Sequence, residues 1–394
     1  MRPLDGTHVL DVSDSLGAYC TRLLAGLGAD VVKVEPPAGD ELRRRPPFRD
    51  GVDGDDASLV FAYYHAGKRG ITLDTRRRDS APLLGELAAD ADVVVASPSR
   101  RHPLAGLDDE RLELSWTRPD AIVCFVSAYG LTGPHRHWRA THFVAYAASG
   151  CMHKIGPPEG PPVVIPGLQH WDDTGAHAAV SILAALRNRA DVGGQTIDIS
   201  ALEVAATRDF AFDRYDVEGM VLDRSVTVGF PPTGTWQCAD GPFDVAAHQL
   251  RHWDAFLDML DRPAELSDPS LQDVLVRREI FDGLQETISE LLATRSRADL
   301  LERGQAAGLP CAVLNTPAEF VADEQLAARD YFVTVPTVDG GEVRMPGAAF
   351  RSSPELFAIT RAAPGLGEHN HEVFVDGLGH STGELAAWRD DGLV

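Results

Sequence analysis

The chain has 394 residues, enough for a large core domain plus a smaller one. A hydrophobic share of 44% and a charged share of 24% are those of a globular protein, so fibrous and disordered classes are excluded. With 36 Lys and Arg against 59 Asp and Glu the net charge is −23, which argues against nucleic acid as a partner, because neutralising phosphates needs a basic face.

In chain order, Val9 to Val12 reads as a strand and Tyr19 to Leu27 as a helix closed by Gly28. Asp30 to Val34 is a second strand, stopped by Pro36-Pro37. Leu83 to Ala89 is helical, and Asp92 to Val95 and Ile122 to Val126 are further strands. An Ala-rich helix covers Ala176 to Leu186, and Thr196 to Ile199 is a strand after Gly193-Gly194. Continuous Val/Ile strands separated by amphipathic helices predict an α/β, Rossmann-like parallel sheet covered on both faces. The pattern breaks at a linker near Asp223–Pro232, and a hairpin around Asp240-Gly241 follows within Trp236 to Val245. Helices are expected at Trp253–Leu260, Arg278–Leu292 and Ala298–Arg303, then short strands after Phe332 and a last helix near Glu384–Trp388.

Runs such as Ala121 to Val126 are far shorter than the roughly 20 residues of a spanning helix, so no membrane partner is expected. The first residues lack the apolar stretch of a secretory signal. Five scattered cysteines without a Cys-x-x-Cys pair read as reduced thiols, and a cytoplasmic location is expected. Residues 1–101 carry 14 cationic against 16 acidic residues, so −21 of the −23 lies beyond them. Arg43-Arg44-Arg45, Lys68-Arg69, Arg76-Arg77-Arg78 and Arg100-Arg101 therefore form either a seat for a small polyanion or a set of solvated surface cations.

An open parallel sheet binds ligands beyond the carboxyl ends of its strands. A dinucleotide site needs Gly-x-Gly-x-x-Gly after the first strand, but the chain has Ser13-Asp14-Ser15-Leu16-Gly17, although Glu35 stands where an acidic ribose ligand would. Neither a Gly-x-Ser-x-Gly elbow nor a Walker loop occurs. His135-x-His137 with His142, and His369-x-His371, lack companion ligands at metal spacing and read as surface histidines; no metal is expected.

Ordered blocks along nearly the whole chain carry a resemblance. They are Leu4-Asp5-Gly6, Val9-Leu10-Asp11, Gly17-Ala18-Tyr19, Leu27 to Pro37, Gly39-Asp40 with Arg43, Lys68 to Asp74 and Ala91 to Val95. Tyr129-Gly130 with Thr132-Gly133-Pro134, Ser149-Gly150, Gly193-Gly194-Gln195, Asp198-Ile199-Ser200, Gly308 to Cys311 with Asn315-Thr316, and Gly367-Glu368-His369 complete the series. Together they resemble the family III CoA-transferases, the carnitine-dehydratase and bile-acid-inducible group. The resemblance implies a large domain built from both chain ends (1–221 and 331–394) around a small central α+β domain with its linker (222–330), in an interlocked homodimer or with a heteromeric partner. It also implies transfer of CoA, as substrate rather than prosthetic group, from an acyl-CoA to a carboxylic acid. An aspartate would attack the thioester to form an anhydride, and the CoA thiolate would then convert this to an enzyme-bound thioester.

The family's aspartate lies four residues before the glycine that opens the Ala-rich helix. Here that glycine is Gly175 and the aligned residue is Trp171, so the nucleophile is Asp172, Asp173 or neither. The positive end of a helix dipole would lower a carboxylate's pKa there, yet an Asp before a helix is also an ordinary cap. By position, CoA contacts fall on Ser15, Leu16, Arg43, Leu73, Arg76, Ser97 and Pro98, with the Ser127-Ala128-Tyr129 turn offering amides to an oxyanion. The glycine-rich loop of formyl- and oxalate-directed members is not visible, which favours a larger hydrophobic or dicarboxylic acid. Two alternatives share the fold: an acyl-CoA racemase using His142 with an Asp, and an inactive CoA-binding subunit.

Overall fold

Six short apolar segments align as one parallel sheet. They are β1 (His8–Val12), β2 (Asp30–Glu35), β3 (Arg69–Thr72), β4 (Val93–Ala96), β5 (Ile122–Ser127) and β6 (Gln195–Ser200). Their order is β3-β2-β1-β4-β5-β6, with every neighbouring pair parallel. The computed structural model describes residues 2–98, 117–207, 211–222, 224, 232–247 and 249–394. Most of the expected linker Asp223–Pro232, and Arg100-Arg101, lie outside them. By contact the chain divides into two units, Met1–Asp223 with Asp330–Val394, and Arg224–Arg329.

Alternation along the strands divides the first unit's core into two layers. Val9, Val31, Val93, Val95, Ile122, Cys124 and Val126 pack under three helices, α1 (Ala18–Gly26), α2 (Leu59–His65) and, after α3 (Ala81–Asp90) and α4 (His142–Ala148), the long α5 (Gln169–Val192). Leu10, Val12, Val34, Val94, Val123 and Phe125 face α3 and the chain's end, where Val373, Phe374, Leu385 and Leu393 close the layer. The end of the chain thus supplies part of the cover for a sheet built near its beginning. A hairpin of β10 (Phe332–Pro336) and β11 (Glu342–Pro346), numbered after the second unit's three strands, packs Val335, Val343 and Met345 against Ala66. In the second unit β7 (Gly234–Cys238), β8 (Gly241–Val245) and β9 (Cys311–Val313) form an antiparallel sheet over Trp253, Phe256, Ile288 and Leu300.

Several sequence expectations are revised. α5 begins at Gln169, not at Ala176, because nothing after Gly167 (φ +85°) interrupts it. Asp172 and Asp173 therefore stand inside the helix, and neither is its cap. Gly175 is a helix residue whose lack of a side chain lets α5 approach α1: a Cβ there would lie 2.8 Å from Cys20 N and 3.0 Å from Tyr19 Cβ. The helix expected over Arg278–Leu292 is two, Val274–Glu279 and Phe281–Ala293. α2, β3 and α4 lacked a periodicity long enough to read from sequence.

The carboxyl ends of β1 and β2 rest on a buried ionic network. Asp11 Oδ2 accepts from Lys68 Nζ (3.0 Å) and Thr21 Oγ1 (2.6 Å), and its Oδ1 accepts from Ser13 Oγ (2.6 Å). Lys33 donates to Ser13 O and pairs with Asp40 at 3.2 Å. Burial opposes the Asp11 charge, but Lys68, Lys33 and the two hydroxyls outweigh it and hold the carboxyl at about 2. Burial draws Lys68 down to about 8 against the pull of Asp11. Replacing Lys68 by Met should cost about 3–5 kcal/mol, because Asp11 is then buried without its counter-ion. The loss is read from urea unfolding, and an unchanged midpoint would contradict it.

Candidate active site

In a parallel sheet the helices leading back to the next strand begin at the carboxyl edge, so α1 and α5 both start there. Their contact at Gly175 places the first turns of α5 over the start of α1. Asp172 lies in that region, and its Oδ1 accepts a 2.7 Å hydrogen bond from Tyr64 Oη at the end of α2. Among the described residues no donor reaches Oδ2. Tyr64 is packed edge-on against Tyr63 (centroids 5.1 Å) and Tyr19 (6.4 Å), and Arg22 lies 4.0 Å over the Tyr63 ring.

This wall of rings changes the electrostatics inferred from the helix terminus. Burial raises the Asp172 carboxyl to about 6, Tyr64 lowers it by hydrogen bonding, Asp173 raises it by like charge, and Arg22 lowers it. The expectation of a depressed pKa is therefore corrected: loss of water outweighs the helix dipole. Tyr64 is itself pushed far above its usual range by burial and by the Asp172 charge, so it remains a donor. Asp173 follows on the helix, half-buried.

Trp171, at the position where the resemblance expects an aspartate, is buried in the core and packs against His142 (5.6 Å) and His170 (5.4 Å). His142 opens α4 after the Thr141 cap, and its Nε2 accepts the His170 amide at 3.2 Å. Burial lowers its pKa, so the ring is neutral with its proton on Nδ1. In that state it has no lone pair for the α-proton of a substrate, which counts against the racemase role of His142.

The predicted CoA contacts divide into two sets. Ser15 and Leu16 follow β1 and Ser97-Pro98 follow β4, and Val12 pairs with Ala96 at the strand ends, so both segments leave the sheet at its topological switch point. Between them sits Asp14, which sequence analysis had not singled out. Its Oδ1 accepts the Leu16 amide at 3.0 Å, Ser97 lies beside it, and burial raises it to about 6. Arg76 is exposed at the edge and forked onto Asp74, at 2.8 and 3.0 Å.

Other residues of the predicted set are committed internally. Arg43 is 1% exposed and directs all its donors to Glu35, Asp56 and the carbonyls of Asp55 and Pro364, which leaves none for a phosphate. Glu35 is thereby a structural anion and not a ribose ligand. The Leu16 and Leu73 side chains are core residues, leaving their backbones at the edge. Ser127 Oγ accepts the Gly130 amide (2.8 Å) and Asp198 accepts that of Leu131 (3.0 Å), while the Tyr129 ring lies against His135 and Trp138. Among the described residues no group of three or more His, Cys, Asp or Glu is placed to hold a metal, and no helix is long and apolar enough to cross a membrane.

Tyr64 was the residue missed. It lies 108 positions from Asp172, on a seven-residue helix, and only its place in a Tyr63-Tyr64 pair marked it. A ¹³C titration of Asp172 should show a midpoint of about 6, and Asp173→Asn should lower it by removing the like charge. A midpoint near that of an ordinary aspartate would refute the buried setting. Because the folded pKa lies above the unfolded one, Asp172 contributes favourably only in acid, and that contribution is lost as pH rises through about 6. Asp172→Asn should therefore melt above the parent at pH 7 and close to it near pH 4 in a thermal scan.

Comparison with known proteins identifies the family. The model of CoA-transferase family III matches residues 4–370. The chain is 32% identical to a formyl-CoA:oxalate CoA-transferase of Streptomyces avermitilis over the whole of both chains. It is 30% identical to a subunit of the succinyl-CoA:(R)-benzylsuccinate CoA-transferase of Thauera aromatica, over 94% of this chain and 93% of that one. A crystal structure of a CAIB/BAIF family protein from Brucella suis superposes with a TM-score of 0.81 at 28% identity, covering 95% of this chain and 99% of the other. With the parallel sheet, the switch-point loops and a match spanning nearly its full length, this chain belongs to CoA-transferase family III and is a transferase.

Proposed function

We propose that the protein moves CoA from an acyl-CoA thioester to a dicarboxylic acid, with Asp172 as the nucleophile. The observation that carries this is the half-buried Asp172 carboxylate at the sheet's carboxyl edge, with one oxygen held by Tyr64 and the other reached by no donor among the described residues. Oxalate and benzylsuccinate, in the names of the two relatives, both carry two carboxylates, which supports the acceptor class.

In this reading Oδ2 adds to the thioester carbonyl, the C–S bond breaks, CoA leaves as thiolate, and an aspartyl anhydride forms. The thiolate adds to the aspartyl carbonyl and the donor acid departs as carboxylate, leaving an aspartyl–CoA thioester. The acceptor carboxylate then displaces the thiolate to give a second anhydride. Thiolate attack on the acceptor's carbonyl releases the new acyl-CoA and restores Asp172. Ser15, Leu16, Ser97, Pro98 and Arg76 would hold CoA, with Leu16 and Leu73 contributing their carbonyls, since the Leu16 amide is given to Asp14 and the Leu73 amide to Glu35. The Ser127–Tyr129 turn would lie beside the reacting carbonyl.

We also propose a large domain of 1–221 with 331–394 and a small one of 222–330, in chains that interlock in pairs, either two copies or this chain with a related one. Exposed Phe143, Val144 and Val180 on α4 and α5 support a covered face, and one relative is named as a subunit. Five free cysteines support work in the cytoplasm.

The test is transfer from succinyl-CoA to a panel of dicarboxylic acids. Asp172→Asn should reduce it about 10⁴-fold, and hydroxylamine should trap an Asp172 hydroxamate in the parent alone. Exchange of the acyl α-proton with deuterated water in the absence of an acceptor, without transfer, would favour the racemase instead.

A further inference from the structure

We infer that Tyr64 is a catalytic residue whose hydroxyl stabilises the oxyanion formed on Asp172 itself when CoA enters and leaves the aspartyl carbonyl. The inference rests on the transferase reading above and assigns a donor to the steps in which the enzyme's own carbonyl is attacked.

Tyr64 Oη already donates to Oδ1 at 2.7 Å, while Oδ2 accepts from no described group. A hydrogen-bonded oxygen is the weaker nucleophile, so Oδ2 makes the bond to the acyl carbon and becomes the bridging oxygen of the anhydride. Oδ1 is then the aspartyl carbonyl oxygen. When the thiolate adds to Cγ, the carbonyl π electrons move onto Oδ1, the atom to which the phenol is already directed. Collapse of the adduct re-forms the carbonyl, breaks the Cγ–Oδ2 bond and expels the donor acid as carboxylate with Oδ2. Attack by the acceptor carboxylate on the thioester places charge on the same Oδ1 before the thiolate leaves. One donor thus serves both additions to Cγ without moving.

The geometry of the ring supports a fixed donor. Tyr64 is buried, and Tyr19 and Tyr63 meet it edge-on with interplanar angles of 82° each, so the hydroxyl cannot swing without disturbing both. Arg22, the cation beside the cluster, gives donors to the carbonyls of Tyr63 and Pro346 and to Met345 Sδ. The charged and titratable groups bearing on Asp172 are thus Tyr64, Tyr63 and Tyr19, with Arg22 behind them and Asp173 alongside. Of these, Tyr64 alone donates to its carboxylate.

The experiment mixes the enzyme with succinyl-CoA without acceptor, quenches in acid and follows intact mass, which separates the succinyl adduct (anhydride) from the CoA adduct (thioester). In Tyr64→Phe the succinyl adduct should accumulate and the CoA adduct should form about 100-fold more slowly, with KM for succinyl-CoA unchanged. A fluorotyrosine at position 64 keeps the ring and its hydroxyl but makes the phenol more acidic, and should speed CoA-adduct formation. If Tyr64→Phe does not fold, the fluorotyrosine comparison decides alone. A CoA adduct formed at the parental rate in Tyr64→Phe, or at a rate independent of phenol acidity, overturns the role of Tyr64. Full transfer by Asp172→Asn, or a parent enzyme that forms neither adduct, overturns the transferase reading beneath it.

Discussion

The ion pair between Asp11 and Lys68 is the constraint on which the rest of the first unit depends. Both side chains are completely buried, so each must find its full complement of partners inside the protein. Asp11 belongs to β1 and Lys68 immediately precedes β3, while Thr21 on α1 and Lys33 on β2 complete the network. Lys68 also donates to Ala18 O at the start of α1 (3.3 Å), which fixes that helix against the sheet edge. α1 in turn receives α5 at Gly175, and this contact sets where Asp172 stands. A charge pair buried away from the site thus helps to position the carboxylate proposed as the nucleophile.

Asp11 and Asp172 show what burial does to the same side chain in two settings. Asp11 faces two ammonium groups and two hydroxyls and is held at about 2, a stable anion with every lone pair engaged. Asp172 faces aromatic rings and one phenol and is raised to about 6. Such a group is still largely ionised at neutral pH, yet it is more basic than a solvated aspartate and therefore a better nucleophile. Tyr64 limits the rise by donating a hydrogen bond to the carboxylate. The same balance exposes the site to loss of stability, because a partly unpaired buried charge is a net burden on the fold.

The sheet was legible because Val- and Ile-rich runs of four to six residues, apolar on both sides, admit few other structures. β3 escaped because Arg69-Gly70-Ile71-Thr72 is too short and too polar to declare itself, although it forms the edge of the sheet. The start of α5 was placed too late because Gly175 was read as a boundary, whereas it is a point of close approach whose meaning lies in the facing helix. Arg43 was read as a ligand contact from its position in the family resemblance. Its partners Glu35 and Asp56 stand 8 and 13 residues away, and their convergence needs the turn around Asp40.

By itself the sequence determined the class of the fold, the family and the short stretch that carries the candidate nucleophile, because strand composition and ordered motifs are local properties of the chain. Only the tertiary structure brought Tyr64 to Asp172, gave every Arg43 donor an internal acceptor and engaged His142 Nε2 with a backbone amide. Those outcomes depend on which groups lose water together and which donors meet which acceptors. Such properties belong to residues far apart in sequence and arise only when α1, α2 and α5 pack on one face of the sheet.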